Sequence, residues 1–283
     1  MEPASAPSGI LMTDEQFLQL RDFIYEKSGI YFADSKKSLL ESRLTYRLKA
    51  YNFTDYEKYY YLLKYDPQAG KELRALYDTI TTNETSFFRS PPQIEAFAEK
   101  ALPDVMARRQ RSGEKTLRIW SAGCSTGEEA YTLGIVLKEV LKDTLREWDI
   151  RICASDISEK ALRSAKQATY NEYALRSVPA EIRQRYFKAE NSQFVVADEI
   201  RALVELQFLN FMDSSRMQLM KGFDIIFCRN VIIYFDAKTK QELMTKFHNQ
   251  LKNQGHMFIG HSESLMHMKD KFRYIKNTIY QKV

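Results

Sequence analysis

The stretch Trp120-Ser121-Ala122-Gly123-Cys124-Ser125-Thr126-Gly127-Glu128-Glu129-Ala130-Tyr131 decides the fold. The apolar run Leu117–Trp120 leads into it, and a helical segment follows. Small residues between a strand and a helix let a ligand come close to the backbone. A phosphate is the usual ligand there, drawn by the positive helix end and often by a lysine. This stretch has no lysine, and Glu128 and Glu129 stand where a phosphate would be repelled. A ligand here should carry hydroxyls, amines or positive charge. Taken alone, the stretch also reads as an ordinary strand–helix turn whose glutamates complement the helix dipole.

Working outward, strand-like runs at LRIWSA (117–122), IRICASD (150–156), VELQFLN (204–210), FDIIFCRN (223–230) and HMFIG (256–260) alternate with helical stretches near 127–143, 157–167 and 237–252. That rhythm predicts a mostly parallel sheet from residue 114 to 283. FRYIKNTIYQKV (272–283) reads as a closing hairpin, and 170–203 as an inserted small β-subdomain around Phe194-Val195-Val196. Residues 13–90 lack alternation and predict a helical domain. Thr13-x-x-Gln16 is a capping box ahead of Phe17, Leu20 and Ile24, and Ser28-Gly29 ends that helix. Ser35 is expected to cap a second helix carrying Leu40, Leu44 and Leu48. Thr54 or Asp55 should start a third, and the fourth should cover about 69–79. The tyrosines between 56 and 65 read as bundle packing. Ser90-Pro91-Pro92 opens a helix, to about Arg111, taken as a linker over 91–113. Residues 1–12 read as a disordered tail; its first ten residues have neither the basic start nor the apolar core of a signal peptide.

Composition narrows the class. The chain has 283 residues, 44% hydrophobic and 28% charged, within the range of a globular protein with one large or two small cores. No apolar run approaches the ~20 residues of a membrane-spanning helix. Cys124, Cys153 and Cys228 form no CxxC pair, which fits a reducing cytosol and no zinc site. Net charge is +5, with five basic residues against one acid over 36–49. On a helical wheel Lys36, Arg43 and Arg47 fall within roughly a 40° arc beside the leucine stripe. Such a face is either solvated or a dock for an acidic partner.

In an open α/β sheet ligands bind beyond the carboxyl ends of the strands. Those ends carry Gly123–Glu129, Asp156, Asn210 and Cys228-Arg229-Asn230. Asp156 is placed to accept both hydroxyls of a ribose. Acids and amides without lysine suit a ligand combining ribose, adenine, ammonium and sulfonium, which is S-adenosylmethionine.

TTNETSFFR (81–89), IWSAGCSTGEEAY (119–131), ASDI (154–157), LNFM (209–212), FCRNVIIYFD (227–236) and GHSES (260–264) together resemble the bacterial chemotaxis receptor methyltransferases of the CheR type, over about 14–281. The resemblance implies an all-α N-terminal domain joined to a Rossmann-like class I S-adenosylmethionine methyltransferase domain with an inserted antiparallel β-subdomain. It implies methylation of glutamate side chains of chemoreceptors, giving glutamyl methyl esters for adaptation. Carried over by motif, the cofactor residues are Asn83, Thr85, Arg89, Glu129, Asp156, Asn210, Phe211, Arg229 and Asn230. Arg89 and Tyr234 are expected to position the incoming carboxylate, and Tyr234 also reads as core packing. Lys36, Arg43 and Arg47 would dock the acidic methylation helices of membrane chemoreceptors. No metal, nucleic acid or membrane insertion is implied; a monomer in the cytoplasm, recruited to receptor arrays, is expected. Two departures stand out: Ala130 replaces a common proline, and the turn KAENSQFV (188–195) lacks the glycine of members that dock a receptor's carboxyl-terminal peptide, so that tethering is not expected here. A nucleic-acid methyltransferase is the first alternative, but CRNVIIYF (228–235) has no N/D-P-P-Y motif. A non-enzymatic sensor of the cofactor is the second.

Overall fold

The computed structural model describes residues 10–266 and 268–283. The chain divides into two units, one of residues up to Thr82 with Tyr234–Asp236, the other of Asn83–Ile233 with Ala237–Val283.

The first unit is helical: α1 (Asp14–Ser28), α2 (Lys37–Ala50), α3 (Tyr56–Tyr65) and α4 (Ala69–Ile80). Thr13 and Gln16 form the expected capping box, and Gly29 closes α1 at φ +74°. Asp55 caps α3 through the Glu57 amide. The apolar stripes meet inside: Phe17, Leu20 and Ile24 of α1, Leu40, Leu44 and Leu48 of α2, and Leu76 and Ile80 of α4 are all buried. Residues 1–9 of the expected tail lie outside the described residues. Residues 10–12 are held: Met12 is buried and its amide donates to Glu41.

Three expectations change in this unit. Ser35 caps nothing, because a short 3₁₀ turn, Asp34–Lys36, precedes α2 and neither start has a side-chain cap. The basic arc also breaks up. Lys36 sits in that turn, exposed. Arg43 reaches the α4 carboxyl end, donating to the Ile80 carbonyl and to Thr82 Oγ1. Arg47 turns inward and pairs with Glu72 through Nε–Oε1 at 2.8 Å and Nη2–Oε2 at 2.6 Å, so it is not part of an outward face. Third, Tyr56 and Tyr59 are core residues, whereas Tyr61 and Tyr65 stack on each other in the open.

In the second unit, α5 (Pro91–Ala96), a π-helical turn (Phe97–Ala101) and α6 (Leu102–Arg111) form one continuous rod. The Leu102 amide reaches back five residues to the Phe97 carbonyl. Pro103 follows; its ring crowds the carbonyl four residues back, and a widened turn relieves that crowding. The rod is not a linker. Ile94, Phe97, Leu102 and Val105 pack into the same core as Ile119, Ile225, Phe227 and Phe258. Phe87, ahead of it, is fully buried and meets Tyr170 and Phe187 edge-on. Its apolar spacing makes burial the favourable outcome, at about 25 cal/mol per Å² of apolar surface covered.

Seven strands form the main sheet: β1 (Thr116–Ala122), β2 (Asp149–Asp156), β6 (Val204–Phe208), β7 (Phe223–Cys228), β8 (Leu251–Ile259), β9 (Phe272–Lys276) and β10 (Ile279–Lys282). Their order is β6-β2-β1-β7-β8-β10-β9. β10 runs antiparallel to β8 and β9, while β2, β1, β7, β8 and β6 pair in parallel. This is a Rossmann-like sheet whose order reverses between β1 and β7. Helices α7 (Glu128–Leu141), α8 (Glu159–Gln167), α11 (Ser214–Leu219) and α12 (Ala237–Gln250) connect its strands. The inserted segment holds β3 (Thr169–Tyr170), α9 (Ala180–Tyr186), β4 (Phe187–Glu190), β5 (Gln193–Val196) and α10 (Asp198–Arg201), with a separate antiparallel sheet ordered β3-β5-β4. Asn191 and Ser192 join β4 to β5, both at positive φ, so the two-residue turn adopts the left-handed pair of a type I′ connection without a glycine.

Candidate functional site

Register brings the polar strand ends to one edge. Ala122 pairs with Ser155, Ser121 with Phe227, Asp156 with Phe208, and Cys228 with Ile259. The residues that follow, Gly123, Asn210, Arg229-Asn230 and Gly260, therefore leave the sheet on the same side. The reversal of strand order between β1 and β7 opens the crevice between their two loops.

The loop after β1 is held from below. The Gly123 and Cys124 amides both donate to the Ser155 carbonyl, at 2.8 and 2.9 Å. The Ser125 amide donates to Asp156 Oδ2 and the Ser158 amide to Oδ1, each at 2.8 Å. These two bonds fix the orientation of the Asp156 carboxylate at the end of β2. Ser125 Oγ donates to the Asn83 carbonyl at 3.1 Å and joins the 83–89 segment to the loop. Gly123 sits at φ +81°, and a Cβ there would come within 2.4 Å of Val231 Cγ2, so the loops after β1 and β7 touch only because this residue is glycine.

The two glutamates do different work. Glu128 is buried and accepts from Thr126 Oγ1 at 2.7 Å; burial pushes its pKa up against that hydrogen bond. It serves the helix start. Glu129 accepts from Ser121 Oγ at 2.7 Å and from Arg229 Nη1 at 3.1 Å. Arg229 Nη2 donates to the Arg89 carbonyl at 2.6 Å, while its Nε is buried with no hydrogen-bond partner. Burial lowers the pKa of this guanidinium and Glu129 opposes that shift. One buried arginine thus ties the 81–90 loop, α7 and the end of β7 together.

The remaining expected residues fall as follows. Arg89 has an exposed side chain whose Nη1 donates to the Glu84 carbonyl. Thr85 is half-buried in the same loop. Asn210 Oδ1 accepts from the Met212 amide, so its carboxamide orients the turn after β6. Phe211 turns its ring into the core, edge-on to Trp120 and Phe247, and its carbonyl accepts from Lys246 Nζ at 3.1 Å. Asn230 adopts φ +60° and is half-buried. Tyr234 belongs to the first unit, with its ring 37% exposed. The thiols of Cys124 and Cys228 are buried, and burial raises both pKa values, so neither is a ready nucleophile. His261 is exposed. Two contributors were missed in the sequence: Tyr170, whose hydroxyl holds the Thr126 carbonyl at 2.6 Å, and Glu263, buried beside Gly260. Glu263 lies in GHSES, where the histidine drew attention instead.

Donors and acceptors here are carboxylates, carboxamides and the guanidinium groups of Arg89 and Arg229, at a Rossmann crevice without a lysine in its glycine loop. Residues 83–281 match the family described as CheR methyltransferase, SAM binding domain, and residues 15–81 match CheR methyltransferase, all-alpha domain. The chain belongs to the CheR methyltransferase family. It is 35% identical over 277 residues to chemotaxis protein methyltransferase 2 of Vibrio cholerae, covering 96% of this chain and 94% of that protein. It is 35% identical to the chemotaxis protein methyltransferase of Borreliella burgdorferi, covering 96% of each, and 34% identical to that of Escherichia coli, covering 96% and 92%. The second unit of this CheR-family chain is thus a methyltransferase domain whose cofactor is S-adenosylmethionine, and the acid- and amide-rich crevice fits it. When bound, that cofactor supplies an electrophilic methyl group on a sulfonium.

Gly123→Ala follows as a test of the crevice. An L side chain at this φ, pressed on Val231, is expected to destabilise the fold by about 2 kcal/mol and to weaken binding of S-adenosylhomocysteine. Urea unfolding and calorimetric titration measure the two effects. An unchanged midpoint would mean that the loops separate freely.

Proposed function

We propose that this chain transfers the methyl group of S-adenosylmethionine to glutamate side chains of membrane chemoreceptors, forming glutamyl methyl esters. The observation that carries the reading is the pairing of an acid-lined cofactor crevice with Arg89, an exposed guanidinium rooted in the loop that Arg229 anchors. Asp156 is assigned to the ribose, and Glu129, Asn83, Thr85, Asn210, the Phe211 backbone, Arg229 and Asn230 to holding or shaping the rest of the cofactor site.

The chemistry asks little of a base. A glutamate side chain has a pKa near ~4.3 and is ionised at neutral pH. Its anionic oxygen meets a cationic donor, and both charges vanish as the methyl moves. Water stabilises the separated ions more than the transition state, so the protein must align the carboxylate and exclude water. Arg89 can present two N–H donors to one carboxylate. Tyr234 is retained in the proposal as a further hydroxyl donor, on motif grounds.

Arg89→Ala is expected to leave the affinity for S-adenosylhomocysteine within about two-fold while lowering kcat by about 100-fold, the size of a lost bidentate charge-assisted contact. Titration calorimetry with single-turnover kinetics separates the two. Lost cofactor affinity would instead assign Arg89 to the cofactor's own carboxylate.

Docking of the acidic receptor helix is assigned to the outer side of α2 and the turn before it. Lys36 and the half-buried Arg43 remain from the expected arc, while Arg47 is turned to Glu72. Such a face would steer an acidic helix and set its register. The site of action is then the cytoplasmic side of receptor arrays. Among the described residues no helix is long and apolar enough to cross a membrane.

The decisive assay uses methyl-labelled S-adenosylmethionine with membranes from a motile strain lacking its own enzyme. Label on a membrane protein, released as volatile methanol by mild base, is the expected result. Base-stable label would mean nitrogen methylation, label in RNA a nucleic-acid methyltransferase, and tight cofactor binding without transfer a sensor.

A further inference from the structure

β8 ends at Ile259, and the chain turns through Gly260-His261-Ser262-Glu263. The Glu263 amide donates to the Gly260 carbonyl at 3.1 Å, and the Glu263 carboxylate folds back so that Oε2 accepts from the Gly260 amide. The side chain is buried, 7% exposed. Burial pushes the pKa of this carboxylate up, and the hydrogen bond from the Gly260 amide opposes that pull. Oε1 is buried without a hydrogen-bond partner. A buried carboxylate is costly unless a donor faces it, and here the Gly260 amide is that donor.

Gly260 in turn lies against the segment that follows β7. It begins with Arg229 and Asn230 and continues to Ile233. Asn230 stands at φ +60°, a conformation that persists only where neighbours enforce it. On one side the Arg229 side chain is tied to Glu129 and to the Arg89 carbonyl. On the other, Gly260 presses directly on the backbone: a Cβ there would lie 2.9 Å from the Asn230 nitrogen and 2.9 Å from Glu263 Oε2. Glu263 thus sits behind the Asn230 turn, and its negative charge also raises the Arg229 pKa against burial. Nothing on the exposed side of the GHSES turn does comparable work: His261 and Ser262 face solvent.

We propose that Glu263 is a positioning residue for methyl transfer. Its carboxylate clamps the Gly260 amide, and Gly260, fixed in this way against the Asn230 backbone, holds Asn230 in its left-handed conformation at the cofactor crevice. The inference rests on the assignment of Asn230 to the cofactor site and does not require Glu263 to touch any ligand. A glutamine has the same shape but no charge, so its bond to the Gly260 amide is weaker and its amide nitrogen is left buried without an acceptor, with little change in packing.

The test uses the full chain with Glu263→Gln, Asn230→Ala, the double variant, and Ser262→Ala from the solvent side of the same turn. Affinity for S-adenosylhomocysteine is read by calorimetry, KM for receptor membranes by methyl transfer, and the thermal midpoint by circular dichroism. E263Q is expected to weaken binding about ten-fold, the effect of removing the charge from that hydrogen bond, with an unchanged receptor KM. The double variant should bind no more weakly than N230A alone, because both act through one residue. S262A should match the wild type. An E263Q protein of wild-type affinity beside a weakened N230A would overturn the inference alone. So would additive losses in the double variant, or an E263Q loss that follows a falling thermal midpoint with a matching rise in receptor KM. N230A at wild-type affinity would remove the cofactor assignment of Asn230 and the inference with it.

Discussion

Arg229→Ala is expected to produce the largest loss of cofactor binding of any single change in the chain. The guanidinium has a side-chain exposure of 3% and serves Glu129 and the Arg89 carbonyl at once. Removing it leaves the Glu129 carboxylate, 14% exposed, with Ser121 as the hydrogen-bond donor still beside it. Breaking a buried pair from one side costs about 3–5 kcal/mol, more than the intact pair contributes, because the remaining charge is stranded. The same deletion releases the 81–90 loop and the Asn230 turn. Affinity for S-adenosylhomocysteine should fall about 100-fold or more, since each 1.4 kcal/mol is a factor of ten. Arg229→Lys should restore only part of it, because a single ammonium cannot span the carboxylate and the carbonyl. Titration calorimetry of both variants, with urea unfolding alongside, checks the ranking. If Lys restored full affinity, the bridging geometry would be irrelevant and charge alone would matter.

Glu72→Ala is expected to give the largest loss of stability in the helical unit. Glu72 is 2% exposed and accepts from Arg47 twice, from Tyr51 at 2.7 Å and from Tyr59 at 2.7 Å. The substitution strands a guanidinium and two hydroxyls, with a cost of about 3–5 kcal/mol. Hydrogen exchange across 37–80 should accelerate accordingly. The pH dependence has a definite sign. Burial pushes the Glu72 pKa up, but the hydrogen bonds from Arg47, Tyr59 and Tyr51 outweigh it, and the net shift is downward. A carboxylate with a depressed folded-state pKa contributes stability above its unfolded value near ~4.3. That contribution is lost as pH falls through the folded-state value. The wild type should therefore lose more stability on acidification below about pH 4 than Glu72→Ala does. Parallel acid titrations of the two proteins would refute this.

How much of this was legible beforehand depends on distance along the chain. Strand ends are local signals: WSAGCSTG, ASD, LN and CRN each announce a loop leaving an apolar run, and the rule that ligands gather at carboxyl ends does the rest. The capping box at Thr13 and Gln16 is equally local and formed as read. The rod at 91–111 was misjudged as a linker because Pro91-Pro92 and Ser112-Gly113 look like boundaries. Its apolar residues at 94, 97, 102 and 105 held the contrary signal, since a linker has no reason to carry a buried face. Arg47 was misjudged for the opposite reason. On a helical wheel it belongs with Lys36 and Arg43, and nothing local says that an acid 25 residues later will take it inward.

Local patterns in the chain suffice for the class: a helical unit followed by a Rossmann-like methyltransferase, with a lysine-free glycine loop suited to a cationic, hydroxyl-bearing cofactor. Periodicity and turn chemistry act over a few residues, so they survive without the fold. Only the tertiary structure decided which charges meet. Arg229 finds Glu129 across 100 residues, and Arg47 finds Glu72. Each of these pairings exists because packing removed water from both partners, and burial of that kind is a property of the assembled core.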